Sequence, residues 1–112
     1  MQHITWNDFK KIELIVGTIV SAKPFKEARK PAYINEADFG PKVGLLKSSA
    51  QITTHYQTNE LIGQQIIGVV NLPVKQIGPI HSQFLITGFH RPDGSVILAK
   101  PERIIDNGAK LS

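Results

Sequence analysis

The pattern of apolar and polar positions predicts a chain built mainly of short β-strands. Ile12–Ala22, which reads IELIVGTIVSA, is rich in β-branched residues and is predicted to form a long first strand. Gly17 lies in the middle of this strand, where a bend or bulge would let one strand serve two sides of a barrel. Two further strands are expected over Ala32–Phe39 and Val43–Ile52, separated by a turn at Gly40–Pro41.

The second half of the chain is predicted to contain one short helix and further strands. Thr58 is expected to N-cap a helix over Asn59–Ile62, and Gly63 suits the C′ position. Near the N-terminus, the capping-box spacing that starts at Thr5 predicts a helical turn over Trp6–Lys10. Three strands are predicted after the central helix: Gln64–Leu72, Gln83–Phe89 and Ser95–Ala99. The turn sequence RPDGS joins the last two of them in a hairpin.

The order of these elements predicts the fold class. Short strands with one small helix between the third and the fourth favour a mostly β protein, a five-stranded Greek-key barrel of the OB type with short terminal extensions. A β-sandwich is the alternative, but its seven strands are hard to find here. The segment PVKQIGPIHS is expected to be a loop. With 112 residues and no repeat or linker, residues 1–112 are expected to form one domain with a core over about 9–108.

Cysteine content and hydropathy narrow the class of protein further. The chain has no cysteine, which removes disulfides, thiolate nucleophiles and Cys-type metal sites together. The N-terminal sequence MQHITWNDFKK has no apolar core of a signal peptide, and no run approaches the roughly 20 apolar residues that span a membrane. A cytoplasmic protein without membrane insertion is therefore expected.

The balance of charge favours polyanionic ligands. Thirteen Lys and Arg against nine Asp and Glu give a formal net charge of +4 and a pI near 9.5. The basic residues are concentrated in the first 47 positions, and between Lys47 and Arg91 the only one is Lys75.

The candidate catalytic and metal-binding residues show no arrangement that supports an enzyme. The four histidines are not at ligand spacing, and no His-Glu-x-x-His element exists: His3, His55, His81 and His90. Ser48 and Ser49 are not in a G-x-S-x-G elbow, and no base accompanies them. We therefore expect a binding protein with no catalytic residue, no metal site and no cofactor.

Several segments carry a resemblance to a known family. IELIVGTIV at Ile12–Val20 is similar to the opening strand of the tRNA-binding OB domain. KSSAQI at Lys47–Ile52 and NLPVKQIGPIHS at Asn71–Ser82 resemble the CsaA branch of that family, as do EARKPAY at Glu27–Tyr33 and DFG at Asp38–Gly40. The resemblance extends from about residue 9 to residue 108.

The resemblance implies an OB-fold homodimer. Its relatives are tRNA-binding appendages of aminoacyl-tRNA synthetases, while CsaA-type proteins are regarded as export-related chaperones that bind unfolded polypeptide. The chain departs from the family pattern twice. Ile15 stands where the opening strand usually has arginine, and Phe84–Leu85 stands where the synthetase relatives have Gly-Met. Both departures are expected to make the surface less basic and more apolar.

The stretch GLLKSSAQITTHY interrupts an apolar run with small residues, which suggests that a ligand approaches its backbone. Small side chains there would let a phosphate or an extended peptide reach N–H groups that larger residues shield; the alternative is a polar turn that ends the strand. The resemblance places this stretch and NLPVKQIGPIHS on one ligand-binding face, whose candidates are Lys47, Ser48, Ser49, Gln51, Asn71, Lys75, Gln76 and Ser82. Arg29 and Lys30 are possible peripheral members, although a solvated loop explains them more simply.

Two functions remain after this reasoning. The first is a CsaA-like chaperone that binds unfolded or export-destined precursor polypeptides and also tRNA. The alternative is a dedicated tRNA-binding module acting in trans on tRNA or a synthetase. Base-stacking platforms are scarce because the chain has only one Trp, two Tyr and five Phe, several of which are needed in the core. That scarcity favours the chaperone.

Overall fold

The protein is described by a computed structural model that covers residues 1–112. Two short helices and nine strands follow one another in the order α1 Trp6–Lys10, β1 Leu14–Pro24, β2 Tyr33–Asp38, β3 Leu45–Ala50, α2 Thr58–Leu61, β4 Gln65–Val69, β5 Lys75–Ile77, β6 Ile80–Ser82, β7 Leu85–Ile86, β8 Gly88–His90 and β9 Val96–Leu98. Neither helix is long and apolar enough to cross a membrane.

The main sheet is antiparallel and has the strand order β3-β2-β1-β4-β7. Strand β1 is long enough to serve two neighbours, because it pairs with β4 over Leu14–Thr18 and with β2 over Thr18–Pro24. The sheet curls until β3 approaches the chain just before β7, where Lys47 and Gln83 are hydrogen bonded. The result is a nearly closed five-stranded barrel, which confirms the predicted OB-type fold.

The bend in β1 is not at Gly17, as the sequence suggested, but three residues later. The register against β2 shifts between Ile19 and Ser21, so Val20 is the extra residue of a bulge and is exposed. Gly17 serves close packing instead. A Cβ at this position would lie 2.7 Å from the ring of Phe39, which is fully buried in the barrel.

The core fills the barrel interior with aliphatic side chains around two aromatic rings. Phe39 and Phe84 meet edge to face with their ring centroids 4.9 Å apart. Ile15 also belongs to this core and is only 6% exposed. The expectation that Ile15 and Phe84 make the surface more apolar was therefore wrong, because barrel closure turns both inward. Only Leu85, which is half exposed, adds apolar surface.

Local sequence signals predicted the helix ends in part. The capping box between Thr5 and Asp8 is present at α1. At α2, however, the N-cap is Gln57 rather than Thr58, because the Gln57 N–H donates to Glu60 Oε1 at 2.9 Å and Thr58 becomes the first helical residue. Gly63 follows the helix with φ near +90°, as its predicted C′ position requires.

The segment PVKQIGPIHS, expected to be a loop, contains the β5–β6 hairpin. Ile77 and Ile80 of the hairpin pack on a small second cluster formed by Phe25, Ala32 and Ile34. The predicted fifth strand also differs, because it is divided at Thr87 into β7, which continues the barrel, and β8, which pairs with β9 in a separate hairpin.

Candidate functional site

A groove of about 1010 Å³ opens at the end of the barrel where β2 begins and β3 ends. Its walls are the loop at 27–32, the end of β3 with the two residues after it, the β5–β6 hairpin and the strands β7 to β9. Parts of both predicted ligand-binding stretches therefore meet at one opening, although residues 57–70 separate the two stretches along the chain.

The floor of the groove is apolar. Nine apolar residues line it: Ala28, Ala32, Ala50, Ile52, Ile77, Phe84, Leu85, Ile86 and Val96. Phe84 and Ile52 are held in place by the core of the barrel, whereas Leu85 is 51% exposed and projects into the open part. Burying apolar side chains of a ligand against a floor of this kind contributes favourably to the free energy of binding.

The rim of the groove is polar and carries more positive than negative charge. It includes the cationic side chains of Arg29, Lys30 and Lys75, while Glu27 is the one carboxylate. Of the ten residues predicted from the sequence, seven line this groove: Arg29, Lys30, Ser49, Gln51, Lys75, Gln76 and Ser82. The two that were considered peripheral are thus part of the groove wall.

Ser48 lies beneath the groove and not in it. Its side chain points into the barrel and is only 1% exposed, opposite Asn35 of β2. The Ser82 hydroxyl lies 3.4 Å from the Ser48 hydroxyl and also accepts the Ser49 N–H at 3.2 Å. Asn35 is fully buried and its Oδ1 has no partner within the chain. Sequence reasoning missed Asn35, although a polar residue between Ile34 and Ala37 was a visible signal.

Lys47 lies outside the groove but helps to close the barrel. Its N–H donates to Gln83 Oε1 at 2.9 Å, and the Gln83 N–H donates to the Lys47 carbonyl at 2.7 Å. Its own side chain is exposed and neighbours Glu36 on the adjacent strand.

Asn71 follows the last residues of β4 and does not line the groove. Its Nδ2 donates to the Lys11 carbonyl at 2.7 Å, and its Oδ1 accepts the Glu13 N–H at 3.0 Å. These bonds fasten the segment between α1 and β1, so the structure does not bring Asn71 together with the other predicted residues.

A smaller polar cavity of about 440 Å³ adjoins the groove. It is lined by Lys30, Pro31, Gln51, Thr53, Thr54, Asp93, Gly94 and Ser95, of which Lys30 and Gln51 also line the groove. Asp93 Oδ1 accepts the Ser95 hydroxyl at 2.6 Å and the Ser95 N–H at 2.9 Å. These hydrogen bonds hold the pKa of Asp93 below its ordinary value, with a smaller contribution from the charge of Arg91.

The side chains of His55, Ser95 and Asp93 are linked, but in the wrong sense for nucleophilic catalysis. His55 Nε2 lies 2.8 Å from the Ser95 hydroxyl oxygen. An ionised Asp93 can only accept, so the Ser95 hydroxyl hydrogen is directed to Asp93 and His55 must donate to the same oxygen. A serine nucleophile needs the opposite arrangement, in which its proton goes to the histidine. No three potential metal-ligating side chains are grouped to hold one ion.

A separate apolar surface surrounds α1, which buries none of its residues. Trp6 is 66% exposed and its ring centroid lies 5.6 Å from that of Phe9, while Ile4 and Ile12 are exposed nearby in the chain. An exposed tryptophan with exposed aliphatic side chains nearby is typical of surfaces that pack against another molecule.

Comparisons with known proteins agree with this architecture. Residues 14–110 match the family described as "Putative tRNA binding domain". The solved structure of chaperone CsaA from Bacillus anthracis is 42% identical with a TM-score of 0.93, covering 99% of this chain and 100% of that one. The CsaA chaperone protein from Picrophilus torridus is 45% identical with a TM-score of 0.91, covering 98% and 100%.

Curated relatives include methionine–tRNA ligases. The ligase of Pyrococcus horikoshii is 32% identical over 99% of this chain, which spans only 15% of the ligase. Methionine–tRNA ligase 1 of Bacillus anthracis is 34% identical over 98% of the chain and 16% of its own length. The nearly closed barrel with a groove at one end thus identifies the chain as an OB-type domain. The chain belongs to the tRNA-binding domain family and, within it, to the CsaA-type proteins.

Proposed function

We propose that the protein is a CsaA-like chaperone that binds extended segments of unfolded or export-destined polypeptide in the groove, and binds tRNA through the basic rim. The observation that carries this proposal is the combination of an apolar floor with a polar, positively charged rim in one groove of about 1010 Å³. We further propose that it works as a homodimer in the cytoplasm, where both ligands are available.

The groove offers a polypeptide both apolar contacts and backbone hydrogen bonds. Leu85 and its neighbours on the floor can cover alternate side chains of an extended segment. At the wall, Gln51 follows the last residue of β3 and its N–H makes no hydrogen bond within the chain. A free backbone group beside a strand end supports recognition by strand addition, which depends on the backbone more than on the client's sequence.

Support for tRNA binding comes from the family and from the rim. Lys75, Arg29 and Lys30 converge on the groove from two different segments, and none of them is paired with a carboxylate. Unpaired cations at the edge of a groove can neutralise phosphates and release condensed counterions. The alternative, a module acting only on tRNA or a synthetase in trans, is favoured by the match to part of methionine–tRNA ligases.

The polypeptide arm of the proposal is tested with a permanently unfolded protein as the probe. Leu85→Asp should weaken binding at least tenfold because it places a charge on the apolar floor. Val43→Asp is the matched control, since Val43 is also exposed but lies in the turn at the other end of the β2–β3 hairpin. Equal effects of both variants, or no binding by the wild type, would contradict the chaperone proposal and leave the tRNA alternative.

The tRNA arm is tested by the salt dependence of binding. Lys75→Ala should lower affinity and reduce the slope of log K against log salt by about one unit, because one phosphate contact is lost. Lys42→Ala removes the same charge from the turn at the far end of the hairpin and should leave the slope nearly unchanged. Competition between tRNA and the unfolded protein then shows whether the two ligands share the groove, as we expect. If both lysine variants behave alike, tRNA is held by diffuse charge and not by this rim.

A further inference from the structure

The polar cavity beside the groove contains several side chains that are available for a ligand. Lys30, Gln51, Thr53 and Thr54 line it, and none of these four side chains makes a hydrogen bond within the chain. No apolar residue lines the cavity apart from the ring of Pro31 and the backbone of Gly94. It can therefore offer hydrogen bonds and charge to a ligand, but little apolar contact.

Asp93 is the one carboxylate of this cavity, and its two oxygens have different roles. Oδ1 accepts both hydrogen bonds from Ser95 and so fixes the side chain within the turn that joins β8 to β9. Oδ2 has no hydrogen-bond partner in the chain. An aspartate is ionised at neutral pH, and the hydrogen bonds from Ser95 lower the pKa of Asp93 further, so Oδ2 is a charged acceptor.

A carboxylate and a lysine that line the same cavity match a ligand that carries hydroxyl donors next to a negative charge. A ribose of RNA has this chemistry, since its 2′-hydroxyl can donate while the adjoining phosphate is anionic. We propose that the cavity is a ribose subsite for single-stranded RNA, in which Asp93 Oδ2 accepts from the 2′-hydroxyl and Lys30 contacts the neighbouring phosphate. This inference rests on the proposed tRNA binding and adds a means of discriminating RNA from DNA.

The position of the cavity supports a role in the same binding event as the groove. Lys30 and Gln51 line both spaces, so a nucleic-acid strand leaving the groove enters the cavity directly. In the groove, cationic side chains attract the backbone of any nucleic acid. In the cavity, Asp93 favours a sugar that can donate a hydrogen bond, while Lys30, which lines both spaces, contacts the phosphate next to that sugar.

The test compares three 12-nucleotide single strands of the same sequence: RNA, 2′-O-methyl RNA and DNA. The wild type should bind the RNA about tenfold more tightly than either of the others, which cannot donate from the 2′ position. Asp93→Asn keeps an oxygen at the Oδ1 position for Ser95 but replaces the free acceptor by a donor. It should reduce RNA affinity about tenfold and bring the three affinities close together.

The control Asp106→Asn removes the same charge from an exposed position outside both cavities and should leave the preference for RNA intact. Because loss of a negative charge alone strengthens phosphate binding, a weaker RNA complex in Asp93→Asn cannot arise from net charge. An unchanged RNA preference in Asp93→Asn overturns the inference while tRNA binding stands. Failure of the wild type to bind any RNA refutes the proposed tRNA function as well. Weaker binding of unfolded protein with RNA unaffected assigns the cavity to polypeptide and also overturns the inference.

Discussion

Gln83 closes the barrel against Lys47 with both its backbone and its side chain. The Gln83 N–H donates to the Lys47 carbonyl at 2.7 Å, and Gln83 Oε1 accepts the Lys47 N–H at 2.9 Å. The two residues thus exchange two hydrogen bonds, as a pair in an antiparallel ladder does, but the side-chain oxygen of Gln83 takes the place of its backbone carbonyl. Two residues further along β3, the Ser82 hydroxyl also takes the place of a backbone carbonyl, because it accepts the Ser49 N–H at 3.2 Å.

The first prediction concerns this contact between Lys47 and Gln83. Gln83→Ala should lower the free energy of unfolding by about 0.5–1.5 kcal/mol, because it removes the side-chain hydrogen bond to the exposed Lys47 N–H while the Gln83 backbone bond remains. Urea unfolding measures the loss. Gln2→Ala, at an exposed position of the N-terminal segment, should change stability by less than about 0.5 kcal/mol. If Gln83→Ala is as stable as Gln2→Ala, water replaces the Gln83 amide and the side-chain hydrogen bond adds nothing to the free energy of unfolding.

The barrel strands could be predicted from the sequence because apolar and β-branched residues are concentrated in them. In β1 this run includes Ile15 and Ile19, which face the barrel core, although Val16 on the other face is buried as well. The β5–β6 hairpin has no such signal. Lys75, Gln76 and His81 are all exposed, and the hairpin is held by its contact with the Phe25 cluster and by the hydrogen bonds between Ser82 and β3.

The two segments that form most of the candidate site could be predicted from the sequence, but the arrangement of their side chains could not. Whether Ser48 or Ser49 faces the ligand depends on the register of β3 against β2, and a shift of one residue would exchange them. No local feature of the sequence sets that register. Asn71 illustrates the same limit, because its partners Lys11 and Glu13 are about 60 residues away along the chain.

The second prediction is that Gly17 and Phe39 are coupled. Gly17→Ala should destabilise the protein by about 1–3 kcal/mol, since the added methyl group would lie 2.7 Å from the Phe39 ring within a closed barrel. Phe39→Leu creates space beside Gly17 at its own cost. The double variant should therefore be more stable than the sum of the two single losses predicts, by about 1 kcal/mol. Strictly additive losses in thermal or urea unfolding would show that the ring is not the obstacle.

The third prediction concerns the homodimer. Trp6→Asp should convert a particle of twice the chain mass into one of about 12 kDa in sedimentation at micromolar concentration, because it places a charge on the exposed surface of α1. Ile62→Asp is the control, since Ile62 is exposed to a similar degree but follows α2 at the opposite end of β4. A wild type that sediments at 12 kDa, or two variants that dissociate alike, would exclude the α1 surface as the interface.

The last prediction is a dependence of stability on acid that involves the turn between β8 and β9. Hydrogen bonds from Ser95 lower the pKa of Asp93 in the folded protein, so the folded state binds a proton less readily than the unfolded chain. The stabilisation is therefore complete above the ordinary Asp pKa near 3.9 and is lost as the pH falls through the lowered folded value.

Asp93→Asn lacks this titration, so its urea midpoint should decline less than that of the wild type between about pH 5 and pH 2. Asp106→Asn, whose side chain makes no hydrogen bond in the fold, should follow the wild-type curve. Parallel decline of all three proteins would show that the Ser95 bonds do not distinguish the ionised from the protonated carboxyl group.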